Sequence, residues 1–233
     1  MKKLLILLAV FFTACTQPEV KQNVLTEEQK AEGWQLLFNG TDLTGWHNFN
    51  GDSCNGWAVE EGCLVDLDMH TDHSLDIVTD KEYKNFELQL EWKASPESNS
   101  GLFFHAVEDS VDAIYKMAPE YQLLDDKGWE GKIHEDQKTA ANYAMHVPDT
   151  NKKLKSVGEF NLTKIVVKDS LVQHWLNGEK VVEYKLWDED WQKRKMAGKW
   201  KDQPLYGTAK TGKIGLQNHG KKTWFRNIMI KEL

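Results

Sequence analysis

No basic stripe runs along this chain. Lysine and arginine number 29 against 36 aspartate and glutamate, a net charge of -7, so nothing is present to neutralise a row of phosphates, and nucleic-acid binding is excluded. After the first dozen residues no stretch is apolar enough to span a bilayer. Alternation of strand and helix patterns is missing, and so are a glycine-rich phosphate loop and a nucleophile elbow, which removes the nucleotide-binding and α/β-hydrolase classes. Cysteine is scarce, with 3 in 233 residues.

The first of these cysteines has a special setting. Lys2 and Lys3 form a charged start, residues 4–12 are a short apolar run, and Phe12-Thr13-Ala14 leads into Cys15. Residues 1–14 therefore read as a lipoprotein signal peptide, with Cys15 lipidated and first in the mature chain. Contact with the membrane would then be through acyl chains alone. No Asp follows Cys15 as a retention signal, which points to the cell envelope at the outer membrane. An exported compartment permits a disulfide between the other two, Cys54 and Cys63. They flank the turn Glu60-Glu61-Gly62, but cross-strand register is not readable from sequence, so thiols and disulfide both stand open.

What is present is strand after strand. Residues 15–33 are polar and read as a tether, with a short helix at 26–31 capped by Thr26. From 34 to 233 short apolar-alternating segments are separated by turn signals. The cleanest is residues 86–93, with Phe86, Leu88, Leu90 and Trp92 facing inward and Glu87, Gln89, Glu91 and Lys93 outward. Asn177-Gly178 between two such runs is a strong hairpin signal. One substantial helix is expected near 188–198, its lysines and arginine forming a solvated face. The spacing predicts an all-β sandwich. Most of the 10 tryptophans belong to its core.

The stretch 98–126 departs from that plain pattern. Glu120 and Gln122 share one face of a strand, while Tyr121 and Leu123 take the other. His105, His174, Gln217 and His219 likewise interrupt apolar strands. Such groups are costly to bury unpaired, and together they suit the floor of a sugar-binding groove. His70 and His73, in an Asp-rich loop, read as solvated rather than metal-bound, since no Cys or Glu completes a ligand set at fixed spacing.

Several motifs recur in one order: Trp34-Gln35-Leu36-Leu37-Phe38-Asn39-Gly40, Asn99-Ser100-Gly101-Leu102-Phe103-Phe104, Glu120-Tyr121-Gln122, His174-Trp175-Leu176-Asn177-Gly178 and Gly215-Leu216-Gln217-Asn218-His219-Gly220. In these the chain resembles the 3-keto-disaccharide hydrolase family over residues 34–233. The resemblance implies a concanavalin A-like jelly-roll sandwich of two antiparallel sheets, common among lipoproteins of Bacteroides-like bacteria. It also implies cleavage of glycosides whose sugar carries a ketone at C3. The chain has His105 where relatives often carry Arg, and Phe160 where Trp is common. Residues 120–125 also echo the acidic strand of laminarinase-like glucanases, with Glu120 and Asp125 the two carboxylates and a bulge returning the second to the groove. In this chain Gln122 replaces the central Asp of that strand and Asp125 its last Glu, which weakens an endoglucanase reading.

A C3 ketone acidifies the proton on C2. Its removal, loss of the aglycone from C1 and addition of water give net hydrolysis. This chemistry predicts His105 or His174 as base and Glu120 as acid, with Gln122, Asp125, Tyr143, Gln217 and His219 as sugar contacts. A divalent metal, with Glu120 and His105 as candidate ligands, or a cationic side chain would hold the enolate oxygen. The rival from another class is a non-catalytic carbohydrate-binding lipoprotein with the same groove.

Overall fold

A computed structural model of the chain describes residues 22–69 and 75–233. The expected signal peptide, Cys15, His70 and His73 lie outside these residues. The described chain runs α1 (Glu27–Ala31), β1 (Gln35–Leu36), β2 (Trp46–Asn48), β3 (Trp57–Glu60), β4 (Cys63–Asp66), β5 (Ile77–Tyr83), β6 (Phe86–Ala94), β7 (Asn99–Ala106) and β8 (Glu120–Leu124). After a long connection come β9 (Asn161–Lys168), β10 (Leu171–Leu176), β11 (Glu179–Lys185), α2 (Glu189–Ala197), β12 (Gly212–Leu216) and β13 (Thr223–Glu232).

The strands form two antiparallel sheets. One has eight strands, in the order β11-β10-β9-β6-β13-β4-β3 with β1 on β13; the other has five, in the order β2-β5-β12-β7-β8. This is the expected all-β jelly-roll sandwich. The alternation of β6 is observed residue by residue: Phe86, Leu88, Leu90, Trp92 and Ala94 are buried and the residues between them are half-buried. They meet Leu102, Phe104, Tyr121 and Leu123 of the five-stranded sheet in one core. Glu61-Gly62 and Asn177-Gly178 close their hairpins with successive positive φ angles (50° and 74°; 48° and 87°), the backbone that a two-residue turn between twisted strands requires. Helix α2 forms where expected, and the Asp188 carboxylate caps it by accepting from the Trp191 N–H at 2.8 Å. Among the described residues no helix is long and apolar enough to cross a membrane.

One alternative left open by the sequence is decided, and the expected tether is qualified. The Cys54 and Cys63 thiols are free: Cys54 Sγ donates to the Trp46 carbonyl at 3.0 Å, while Cys63 sits opposite Glu60 in the β3–β4 hairpin. The described end of the expected tether is largely exposed, as read from its polarity, but it is pinned to the sandwich at Asn23. Asn23 is buried and exchanges hydrogen bonds with Asn227 of β13: its N–H donates to Asn227 Oδ1 at 2.6 Å and its Oδ1 accepts from the Asn227 N–H at 2.8 Å. Its Nδ2 also donates to the Gly62 carbonyl at 2.8 Å. Helix α1 follows with a complete capping box between Thr26 and Gln29. Asn23→Ala removes two side-chain hydrogen bonds at a buried site and leaves an alanine at φ 55°. Thermal or urea unfolding should register a loss of about 2–3 kcal/mol; a loss below about 0.5 kcal/mol would return this segment to the status of a tether.

Candidate functional site

The β8 strand carries the site. Its register with β7 is unbroken from Asn99↔Leu124 to Phe103↔Glu120, so Glu120, Gln122, Gly101 and Asn99 share one face of the sheet. Tyr121 and Leu123 turn into the core, as their parity predicts. Gly101 stands beside Glu120, and a Cβ there would lie 2.2 Å from Glu120 Oε1. The missing side chain is the space that the carboxylate occupies.

Loop residues 139–146 line the free edge of β8. Gln122 N–H donates to the Ala141 carbonyl at 3.1 Å, Ala140 N–H to the Gln122 carbonyl at 2.8 Å, and Tyr143 N–H to the Glu120 carbonyl at 3.0 Å. This pairing puts Tyr143 next to Glu120. Trp200 Nε1 donates to the Tyr143 carbonyl at 3.1 Å, which brings the end of α2 to the same place. Trp200 is in turn stacked on Tyr206 at 4.2 Å between centroids, and Tyr206 on Trp191 at 5.8 Å. On this support the Lys199 ammonium lies 4.4 Å from the Tyr143 ring centroid and 4.9 Å from that of Trp200.

The result is a cavity of about 210 Å³ lined by Asn99, Tyr115, Glu120, Gln122, Tyr143, Lys199, Gln217 and His219. Burial pushes the Glu120 carboxyl up to about 8, with the Lys199 charge pulling the other way. Burial lowers the Lys199 ammonium, with Glu120 opposing it. Tyr143 is raised by burial and then by Glu120, so its hydroxyl stays protonated at neutral pH. Gln122 Nε2 donates to Asn99 Oδ1 at 3.0 Å, and Gln122 Oε1 has no protein partner. An acid, a cation, a neutral phenol and amides thus face one space, the donor set of a proton-transfer site for a polyol.

Five of the expected site residues therefore come together: Glu120, Gln122, Tyr143, Gln217 and His219. Three do not. His105, next to last in β7, has φ 55° and is buried between Phe86 and Phe104, its Nε2 2.9 Å from the Lys84 carbonyl. It joins loops at the sandwich end and pairs with Glu120 neither as base nor as metal ligand. His174 is fully buried with Nδ1 2.9 Å from the Ala140 carbonyl and Nε2 3.3 Å from the Tyr184 hydroxyl. Burial lowers it to about 3, so it stays neutral and anchors the loop that carries Tyr143. No bulge returns Asp125 to the groove. Its carboxylate accepts from the Glu97, Lys127 and Gly128 N–H groups beside a separate cavity of about 370 Å³ that includes Trp92 and Leu154. The glucanase-like carboxylate pair is thus not assembled. Among the described residues, no group of three or more His, Cys, Asp or Glu could hold a metal ion.

Lys199, Tyr115 and Asn99 are the site residues that strand parity did not single out. Lys199 sits in the cluster read as a solvated face, and only its position just past the α2 stop at Gly198 sets it apart.

Residues 33–231 match the family described as the 3-keto-alpha-glucoside-1,2-lyase-like domain. The chain belongs to this family. A 3-keto-disaccharide hydrolase of Bacteroides thetaiotaomicron is 34% identical over 231 residues, covering 87% of this chain and 79% of that protein. A crystal structure of a putative glycosyl hydrolase from Parabacteroides distasonis aligns with TM-score 0.85 at 45% identity, over 91% of this chain and all of that one. A second putative glycosyl hydrolase from the same organism aligns with TM-score 0.68 at 29% identity, over 86% of this chain and 99% of that one. Membership of the 3-keto-glucoside lyase-like family thus rests on nearly the whole described domain.

Proposed function

We propose that this protein cleaves glycosides of 3-keto sugars by elimination followed by hydration. The observation that carries the reading is the joint placement of the Glu120 carboxyl and the Lys199 ammonium on one small cavity. A base for the C2 proton must be stronger than an ordinary carboxylate, and a Glu raised to about 8 is one. The negative charge then moves to the C3 oxygen, which the exposed Lys199 ammonium at the cavity would stabilise.

The Glu120 carboxylate takes the C2 proton, and the C–H electron pair forms the C2=C3 bond of an enolate whose oxygen lies against Lys199. As the C3 carbonyl re-forms, that pair becomes the C1=C2 bond and the C1–O bond to the aglycone breaks. Tyr143, kept protonated, gives the leaving oxygen its proton. Water adds to C1 and a proton returns to C2, which completes a net hydrolysis. Elimination alone is lyase chemistry, and elimination with hydration is hydrolase chemistry; one site can serve both. Gln122, Asn99, Gln217 and His219 hold the sugar hydroxyls. In the cell the protein would work at the envelope, anchored through Cys15.

The test is to incubate the purified protein with an aryl 3-keto-glucoside and with its unoxidised parent, with and without chelator. Aglycone release from the keto compound alone is the expected result. Retention of keto-sugar without release would leave the non-catalytic binding reading. Release from the parent glucoside would move the site to ordinary glycosidase chemistry, and loss of release with chelator would add a metal to the account.

A further inference from the structure

Two carboxyls that the proposed reaction does not use lie directly behind the cavity wall. Asp66 closes β4 in the eight-stranded sheet, and Asp76 precedes β5 in the five-stranded one. Both are fully buried. Asp76 Oδ1 accepts from the Asn218 N–H at 2.8 Å, and the Asp66 carboxyl lies near the next N–H, that of His219, whose dipole favours its ionised form. Asp66 Oδ1 also takes the Asp68 N–H at 2.9 Å, and neither Oδ2 has a protein partner. Between and beside these N–H groups stand Gln217 and His219, two of the residues lining the cavity.

The segment that carries them has left the regular ladder. Strand β12 ends at Leu216, so residues 217–219 need other partners for their backbone groups. Gln217 is tied to β7: its N–H donates to the Gly101 carbonyl at 2.9 Å and its carbonyl accepts from Ser100 Oγ at 2.6 Å. Asn218 Nδ2 donates to the Gly56 carbonyl at 3.0 Å. Asp76 supplies the remaining anchor, on the Asn218 N–H. We propose that Asp76 is a positioning residue, a clamp on the Asn218 N–H that fixes where Gln217 and His219 on either side meet the sugar.

Acids are unusual in such a place, and their environment explains how they persist. Burial raises both, Asp66 to about 7 and Asp76 well above its ordinary value, and Asp76 is raised further by Glu120 and Asp66. The contact uses Asp76 Oδ1 alone, as an acceptor, and leaves Oδ2 without a protein partner. What the clamp requires of residue 76 is therefore an acceptor oxygen rather than a charge, and an amide of the same shape meets that requirement.

This inference rests on the reading of the cavity as a sugar site, and the test separates the two. In the full chain, amide hydrogen exchange followed by NMR should show the Asn218 N–H protected in wild type and in Asp76→Asn, and exposed in Asp76→Ala. With an aryl 3-keto-glucoside, Asp76→Asn should keep kcat/KM within about threefold of wild type. Asp76→Ala should lower it about 10²-fold and weaken retention of the sugar, since Gln217 stays tied to β7 while the rest of the wall moves. A wild-type Asn218 amide exchanging at free-loop rates would overturn the clamp, as would an alanine variant with unchanged kinetics and affinity. An asparagine variant as damaged as the alanine would overturn it too, by making charge the requirement. Should Asp76→Ala not fold, the wild-type exchange rates and the asparagine variant still decide. Should wild type bind sugar without cleaving it, the chemistry fails, while exchange and affinity continue to judge the clamp.

Discussion

Glu120→Gln should lower turnover of a 3-keto-glucoside by about 10²–10⁴-fold and at the same time make the protein more stable above neutral pH. The first effect follows from losing the group that accepts the C2 proton. The second follows from burial. Glu120 ionises near its ordinary 4.5 when unfolded and near 8 when folded. Between those values the folded state holds a proton that the unfolded state has released, so stability falls as pH rises through the window. Glutamine does not ionise and escapes that loss, on the order of 2–4 kcal/mol at pH 8 and above. Unfolding midpoints of both proteins at pH 4 and pH 8.5 check this: they should agree at the lower pH and separate at the higher. The wild-type kcat/KM should rise with pH and level off above about 8. A profile falling over the same range would make Glu120 the acid instead.

Lys199→Met should cost about 10²–10³-fold in kcat with a smaller change in KM, because the ammonium is used most when charge reaches the C3 oxygen. Methionine fills the space between Tyr143 and Trp200 without the charge. A second effect separates this role from simple packing. Lys199 lowers the Glu120 carboxyl against the effect of burial, so removing it should shift the rising limb of the pH profile to higher pH. A variant that keeps kcat and loses only affinity would reduce Lys199 to a sugar contact, and an unmoved limb would place it away from Glu120 in solution.

The parts of this site that were legible in the sequence are those governed by strand parity. Glu120 with Gln122, and Gln217 with His219, are two apart, and a period of two puts each pair on one face wherever the strand lies. The same rule gave the inward face of β6 and, with the turn residues, the sandwich. What parity cannot supply is which loop closes over a face. His105 and His174 interrupt strands just as Glu120 does, yet one has a positive φ within its strand and meets the Lys84 carbonyl, and the other faces the backbone of Ala140. Asp125 follows β8 and is consumed by local N–H groups, as an Asx turn commonly does. Lys199 looks like any lysine at the end of a cationic helix. Only the aromatic stack beneath Trp200 turns it toward Glu120, and that stack joins residues 143, 191, 200 and 206. Asn23 was hidden for the same reason, since its partner Asn227 lies 204 positions away.

The most direct test of the account is the fate of the hydrogen on C2. Wild-type protein is run on a 3-keto-glucoside in deuterium oxide, quenched early, and the released keto-sugar is analysed by mass and NMR beside unreacted substrate and a keto-sugar standard held in the same solvent. Elimination and hydration remove the C2 proton and return one from the medium, so the product should carry one deuterium at C2 in excess of the standard. Product that keeps its original C2 hydrogen while the aglycone is released would mean direct displacement at C1, and would contradict the role of Glu120 as the base for the C2 proton.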